Sequence, residues 1–139
     1  MSNHFKESEY TELVEEYLGN ELNVDDPTAL TECIVKVESL AYGATYMQEF
    51  YERLLRQYER EREEKLASLY QDGVPGKTAP ERQAYIDKEL ADQTDAVCDC
   101  QRKIKLYRSY ASIIERRIGL AQSILANLSA QIKAGIINN

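Results

Sequence analysis

The sequence predicts an all-α chain: a short N-terminal helix followed by a long antiparallel helical hairpin, coiled-coil-like and oligomeric. Three observations carry that expectation. Apolar residues recur at alternating steps of three and four along two long segments, which is the stripe of an amphipathic helix. A loop with two Gly and a Pro, Gln71 to Lys77, separates the two segments. No segment alternates with the period of two that a strand requires.

The first helix is expected over about residues 7–18. Leu13, Val14, Tyr17 and Leu18 give it an apolar side, and Gly19 can end it. Asn20 to Asp25 links it to the hairpin.

The first hairpin helix is expected over about residues 27–70. Asp26 can cap free backbone N–H groups, and Pro27 suits a first helical position because its missing N–H costs nothing there. Leu30, Cys33, Val37, Leu40, Ala44, Met47, Tyr51, Leu54 and Tyr58 form its stripe. Beyond Tyr58 that stripe decays into Glu59-Arg60-Glu61-Arg62-Glu63, and Leu66 and Leu69 carry a shifted one.

Residues 71–78 read as the loop. Thr78-Ala79-Pro80-Glu81 reads as a capping box that opens the next helix. That helix is expected over about residues 79–134 without interruption, with Gly135 as its stop. Ile86, Leu90, Gln93, Val97, Cys100, Ile104, Tyr107, Ala111, Ile114, Ile118, Ala121, Leu125, Leu128 and Ile132 hold one register. A sustained seven-residue repeat argues for coiled-coil packing. The same helix carries a second stripe of Leu106, Tyr110, Ile113, Leu120 and Ile124. One partner helix cannot cover both stripes, so this helix, with Ile114, Ile118 and Leu125 of the first stripe, is expected to pack both the hairpin and further copies.

The chain has 139 residues, 43% hydrophobic and 29% charged, which fits one folded domain and excludes compositional disorder. A net charge of −7 excludes a uniformly basic nucleic-acid coat but leaves room for a local basic patch. One His, at position 4, and three Cys argue against triad catalysis and a structural zinc site. Asp92, Asp95 and Asp99 read as a polar helix face, so no metal is expected. No phosphate loop, dinucleotide fingerprint or nucleophile elbow is present, so no cofactor and no enzyme are expected. MSNHFKESEY lacks the apolar core of a signal peptide. The longest uncharged run, Ile118 to Ile132, is too short to span a membrane. A cytoplasmic protein is expected.

The charge is unevenly placed. Residues 1–33 hold nine acids against Lys6 alone, a balance of −8, and the remainder is +1. Between residues 100 and 117, Arg102, Lys103, Lys105, Arg108, Arg116 and Arg117 meet only Glu115. Hairpin geometry places that band beside residues 33–50, which carry few charges. Basic side chains neutralise phosphates and tyrosines stack bases, so Arg102, Lys103, Lys105 and Arg108, near Tyr107 and Tyr110, are candidate nucleic-acid contacts. Tyr107 lies on the seam, which argues for the core. A second basic cluster, Arg53, Arg56, Arg60, Arg62 and Lys65, reads mainly as a salt-bridged surface, with Glu49/Arg53, Glu52/Arg56 and Glu61/Lys65 at i,i+4 spacing. The acidic N-terminal segment reads as a soluble arm, or as a cover for the positive band.

At this point the chain resembles the UvsY-like recombination mediators of phages. A short helix leads into a long one that ends in a basic residue, an aromatic and a Gly turn, here Lys65-Leu66-Ala67-Ser68-Leu69-Tyr70-Gln71-Asp72-Gly73. A last long helix begins with Tyr85-Ile86 and later runs through Ser109-Tyr110-Ala111-Ser112-Ile113-Ile114-Glu115-Arg116-Arg117. The resemblance implies a helical, ring-forming protein that binds single-stranded DNA and loads a RecA-type recombinase onto strands covered by single-strand-binding protein, in the host cytoplasm. It implies strand contact at Lys65. The family's second basic position falls on Ala67, a departure for which Arg60, Arg62 or Lys77 would have to compensate. The family's aromatic-containing ending is replaced by Ile136-Ile137-Asn138-Asn139.

Two other functions fit a helical hairpin. One is a small acidic phage interaction protein that inhibits a basic or nucleic-acid-binding host defence complex by charge mimicry. The other is a coiled-coil scaffold or chaperone.

Overall fold

The computed structural model describes residues 7–19 and 25–135. His4, Lys6, most of the linker and the Ile136-to-Asn139 ending lie outside the described residues. The described chain is all-α, with α1 at Glu7–Gly19, α2 at Pro27–Asp72, α3 at Ala79–Glu89 and α4 at Ala91–Lys133. α2 and α4 pack together as the expected hairpin.

The helix boundaries follow from local chemistry. Asp26 Oδ1 accepts from the backbone N–H of Thr28 at 3.0 Å and of Ala29 at 3.3 Å, and Pro27 starts α2. Gly73, with φ of 93°, closes α2 by donating its N–H to the Tyr70 carbonyl at 3.3 Å. An L-residue is costly in that left-handed conformation and Gly is not. Thr78 Oγ1 accepts from Glu81 N–H, and Glu81 Oε2 reaches back to the Lys77 N–H at 2.7 Å.

One expectation needs correcting. The helix after the loop is not continuous: it is interrupted at Leu90, whose φ of −97° and ψ of 6° end α3. The hydrogen bonds show why the pattern concealed this. Leu90 N–H donates to the Ile86 carbonyl and Thr94 N–H to the Leu90 carbonyl, both at 2.9 Å, so the ladder runs through the break. Leu90 stays buried and the stripe keeps its register.

The chain forms two compact units, Met1–Tyr46 with Tyr107–Asn139, and Met47–Leu106. In the first, Leu30, Val37, Leu40 and Ala44 of α2 and Tyr107, Ile114, Ala121 and Leu128 of α4 are buried, as their stripes predict. Ile34, Ile124 and Leu125 pack around Leu30, Ala121 and Leu128. In the second, Met47, Ile86, Leu90, Val97, Cys100 and Ile104 are buried, with Tyr51, Leu54 and Tyr58 half-buried. Among the described residues no charged side chain is buried. The hairpin is therefore held by apolar burial and not by interior ion pairs.

α1 also differs from the sequence reading. Its buried side chains are Tyr10 and Val14, while Leu13 is 45% exposed and Tyr17 and Leu18 are half-buried. The inward face is centred about one turn earlier than the apolar run suggested.

Candidate nucleic-acid interface

In the second unit, successive inward turns of α2 place Tyr51, Leu54 and Tyr58 opposite Ala96, Asp99, Cys100 and Lys103 of α4. With Arg102 and Leu106, these residues line a groove of about 500 Å³. Lys103 Nζ lies 5.9 Å from the Tyr51 ring centroid, a cation–π distance. The Arg102 guanidinium donates to the Asp99 carboxylate, and both side chains are largely exposed. An exposed pair of this kind contributes at most about 1 kcal/mol, so Arg102 can exchange Asp99 for a phosphate at little cost. Burial pushes the Cys100 thiol up, which keeps it protonated and a poor nucleophile. Cys98, two residues before it, is exposed.

The groove gathers two of the four candidate bases of α4. Lys105 is exposed on the same helix, and Arg108, also exposed, belongs to the first unit. Tyr51 and Tyr58 had only a core role in the sequence reading. Both are half-buried in the groove lining, Tyr51 beside Lys103, and their open faces are candidate stacking surfaces.

The other cluster of bases is arranged differently from expectation. Arg53, Arg56 and Arg60 are exposed and line an open hollow on one face of α2 with Gln57, Glu59 and Glu63. Glu52 and Glu61 accept from Gln48 and Gln57, each at 3.1 Å, in place of the expected Arg56 and Lys65. Arg62 is exposed but stands two residues on from Arg60, a rotation of roughly 200° about the helix. Lys65 is half-buried. Lys77 is exposed in the loop, its backbone N–H held by Glu81. Arg60, Arg62, Lys65 and Lys77 therefore do not form one patch, and Arg60 groups with Arg53 and Arg56. The repeat of three and four from Arg53 was the signal for that grouping.

In the first unit, α1 lies on its own hairpin. The Tyr10 hydroxyl donates to the Leu40 carbonyl at 2.5 Å, and its ring stands 6.1 Å from that of Tyr107. Gly43 leaves the space for that ring, since a Cβ there would collide with the ring edge. Arg117 Nη1 donates to the Leu18 carbonyl at 3.2 Å, placing a cation at the negative end of α1. Lys36 Nζ stands 5.9 Å from the Tyr17 ring. Arg117 thus serves α1, and Tyr107 is a core residue with no exposure. Of the residues expected to pack copies together, Ile114 is buried and Ile118, Leu125, Tyr110 and Ile124 are half-buried, whereas Ile113 and Leu120 are exposed. Leu106, in the second unit, is exposed as well.

Burial pushes the Tyr10 phenol up to about 12, with Tyr110 adding to the shift and a backbone hydrogen bond from Ala44 opposing it. The folded form thus holds its proton where the unfolded chain has lost it. Docking of α1 is fully stabilised below pH 10, and that contribution falls through pH 12 by about 1.4 kcal/mol per pH unit. An ultraviolet tyrosinate titration should show a late-ionising component that Tyr10→Phe removes, with α1 loosening as Tyr10 ionises. Ionisation of Tyr10 with the bulk would count against this docking geometry.

No family model, curated protein or solved structure matches the chain. No described helix is long and apolar enough to cross a membrane. Among the described residues no group of three or more His, Cys, Asp or Glu is placed to hold a metal ion.

Proposed function

We propose that the chain is a single-stranded DNA-binding recombination mediator, which helps a RecA-type recombinase onto strands held by single-strand-binding protein and acts by binding, not catalysis. The observation that supports this best is the groove of the second unit, lined by Tyr51, Tyr58, Arg102 and Lys103, with Lys103 over the Tyr51 ring. Aromatic faces stack bases without regard to sequence, and adjacent cations track phosphates. Lys105, one helical turn on from Arg102, extends the basic surface along α4 within the second unit. Each site is weak, and self-association through the outer stripe of α4 would combine several into a tight one.

Salt dependence tests the reading. Log affinity for an oligothymidylate should fall linearly with log salt, by about 0.7 per phosphate contact. Changing Arg102, Lys103 and Lys105 together to Glu should remove most binding and flatten the slope by about 2. Retained binding would move the site to Arg53, Arg56 and Arg60. No binding by the wild type at low salt would sink the reading. A second reading, inhibition of a basic partner protein, would then take its place. It is favoured by α1, which carries five acids and no base.

A further inference from the structure

The surface beneath α1 has the same chemistry as the groove. Where α1 docks, the first unit presents Lys36 and Arg117, the rings of Tyr107 and Tyr110, and the notch at Gly43. Tyr107 and Tyr110 meet edge-to-face at 6.0 Å. α1 meets these groups through contacts that a nucleotide strand can replace one for one. Arg117 holds a neutral backbone carbonyl of α1, where a phosphate oxygen would make a charge-assisted and stronger bond. Lys36 stands over the Tyr17 ring and Tyr107 against the Tyr10 ring, positions that a base can take.

α1 is also built to leave. It is thirteen residues long, near the limit at which an isolated helix is marginal in water. Only Tyr10 and Val14 are fully buried. Its five carboxylates repel a phosphate backbone from the surface only while α1 is docked. Short elements with few buried contacts open at low cost compared with a core.

We infer that the surface under α1 is itself a strand-binding surface, and that α1 and single-stranded nucleic acid compete for it. The inference rests on the proposed function only in taking a single strand as the ligand. The apparent affinity is lowered by the fraction of time the surface is open. Releasing α1 should therefore tighten binding, by about tenfold or more if the closed form dominates.

The test uses the full chain and a fluorescein-labelled oligothymidylate at low salt, with helix content followed by circular dichroism. Tyr10→Ala should bind about tenfold or more tightly than wild type. Gly43→Ala releases α1 without opening a hole and should give the same gain, so the inference survives a Tyr10 variant that misfolds. Adding Lys36→Glu and Arg117→Glu to either variant should return affinity to the wild-type level. Glu12→Gln, Glu15→Gln and Glu16→Gln, all at exposed positions, together keep α1 docked and should recover only a small part of the gain. If wild type binds and neither release variant binds more tightly, the competition is refuted while the proposed function stands. A gain that survives Lys36→Glu and Arg117→Glu, or that the Gln variant matches in full, would also overturn it. If no form binds, the proposed function fails and this inference fails with it.

Discussion

Replacing Tyr107 by Ala is expected to cost about 3–5 kcal/mol, a large share of what a chain this size possesses. The ring has no exposure and lies between two others, at 6.1 Å from Tyr10 and 6.0 Å from Tyr110. Truncation removes a large apolar area and leaves a cavity that three separate segments would have to close. It also removes two aromatic pairs, each contributing roughly 0.5–1.5 kcal/mol beyond burial. Leu120→Ala provides the comparison, because Leu120 lies on the same helix but is 55% exposed, and a surface change should stay within about 0.5 kcal/mol. Urea unfolding followed by circular dichroism measures both. A midpoint shift for Tyr107→Ala no larger than that for Leu120→Ala would mean that the tyrosine cluster does not hold the first unit together.

The two stripes that made the hairpin legible are positional codes. A helix repeats every 3.6 residues, so burial by one neighbour leaves the trace seen from Leu30 to Tyr58 and from Ile86 to Leu128. Capping was legible for the same reason, because Asp26, Thr78 and Glu81 act on backbone within four residues. Features set by tertiary contact or rotamer choice left weaker traces. The Leu90 interruption keeps both the hydrogen-bond ladder and the stripe, so no residue pattern marks it. Arg102 turning to Asp99, and Arg117 to the end of α1, are choices among several partners that charge spacing allows. In α1 the apolar run rightly marked Val14 and Tyr17 but also Leu13, which is exposed, and passed over Tyr10. Tyr10, Val14 and Tyr17, spaced by four and three, carried the inward face. Gly43 was legible in principle, since a lone Gly inside a long helix pattern asks for a packing reason.

That Gly gives the second large effect, and its sign depends on a residue 33 positions away, Tyr10. In a helix interior Ala is favoured over Gly by about 1 kcal/mol, so Gly43→Ala considered alone should stabilise α2. In the folded chain the added methyl enters the space held by the Tyr10 ring. The ring cannot simply swing aside, because its hydroxyl is tied to the Leu40 carbonyl and its face meets Tyr107. Losing the burial of Tyr10 and Val14 forfeits roughly 1.5–3 kcal/mol for each, partly offset by the freedom α1 regains. The loss exceeds the helix gain, so Gly43→Ala should destabilise the wild type by about 1–2 kcal/mol. In a Tyr10→Ala background the space is empty, and the same substitution should stabilise by about 1 kcal/mol. A double-mutant cycle in urea therefore predicts a reversal of sign with a coupling of about 2–3 kcal/mol, the upper range for residues in direct contact. Additive effects would mean that α1 does not occupy the Gly43 notch in solution. A reversal would show that the chain accepts a weaker α2 in order to hold α1.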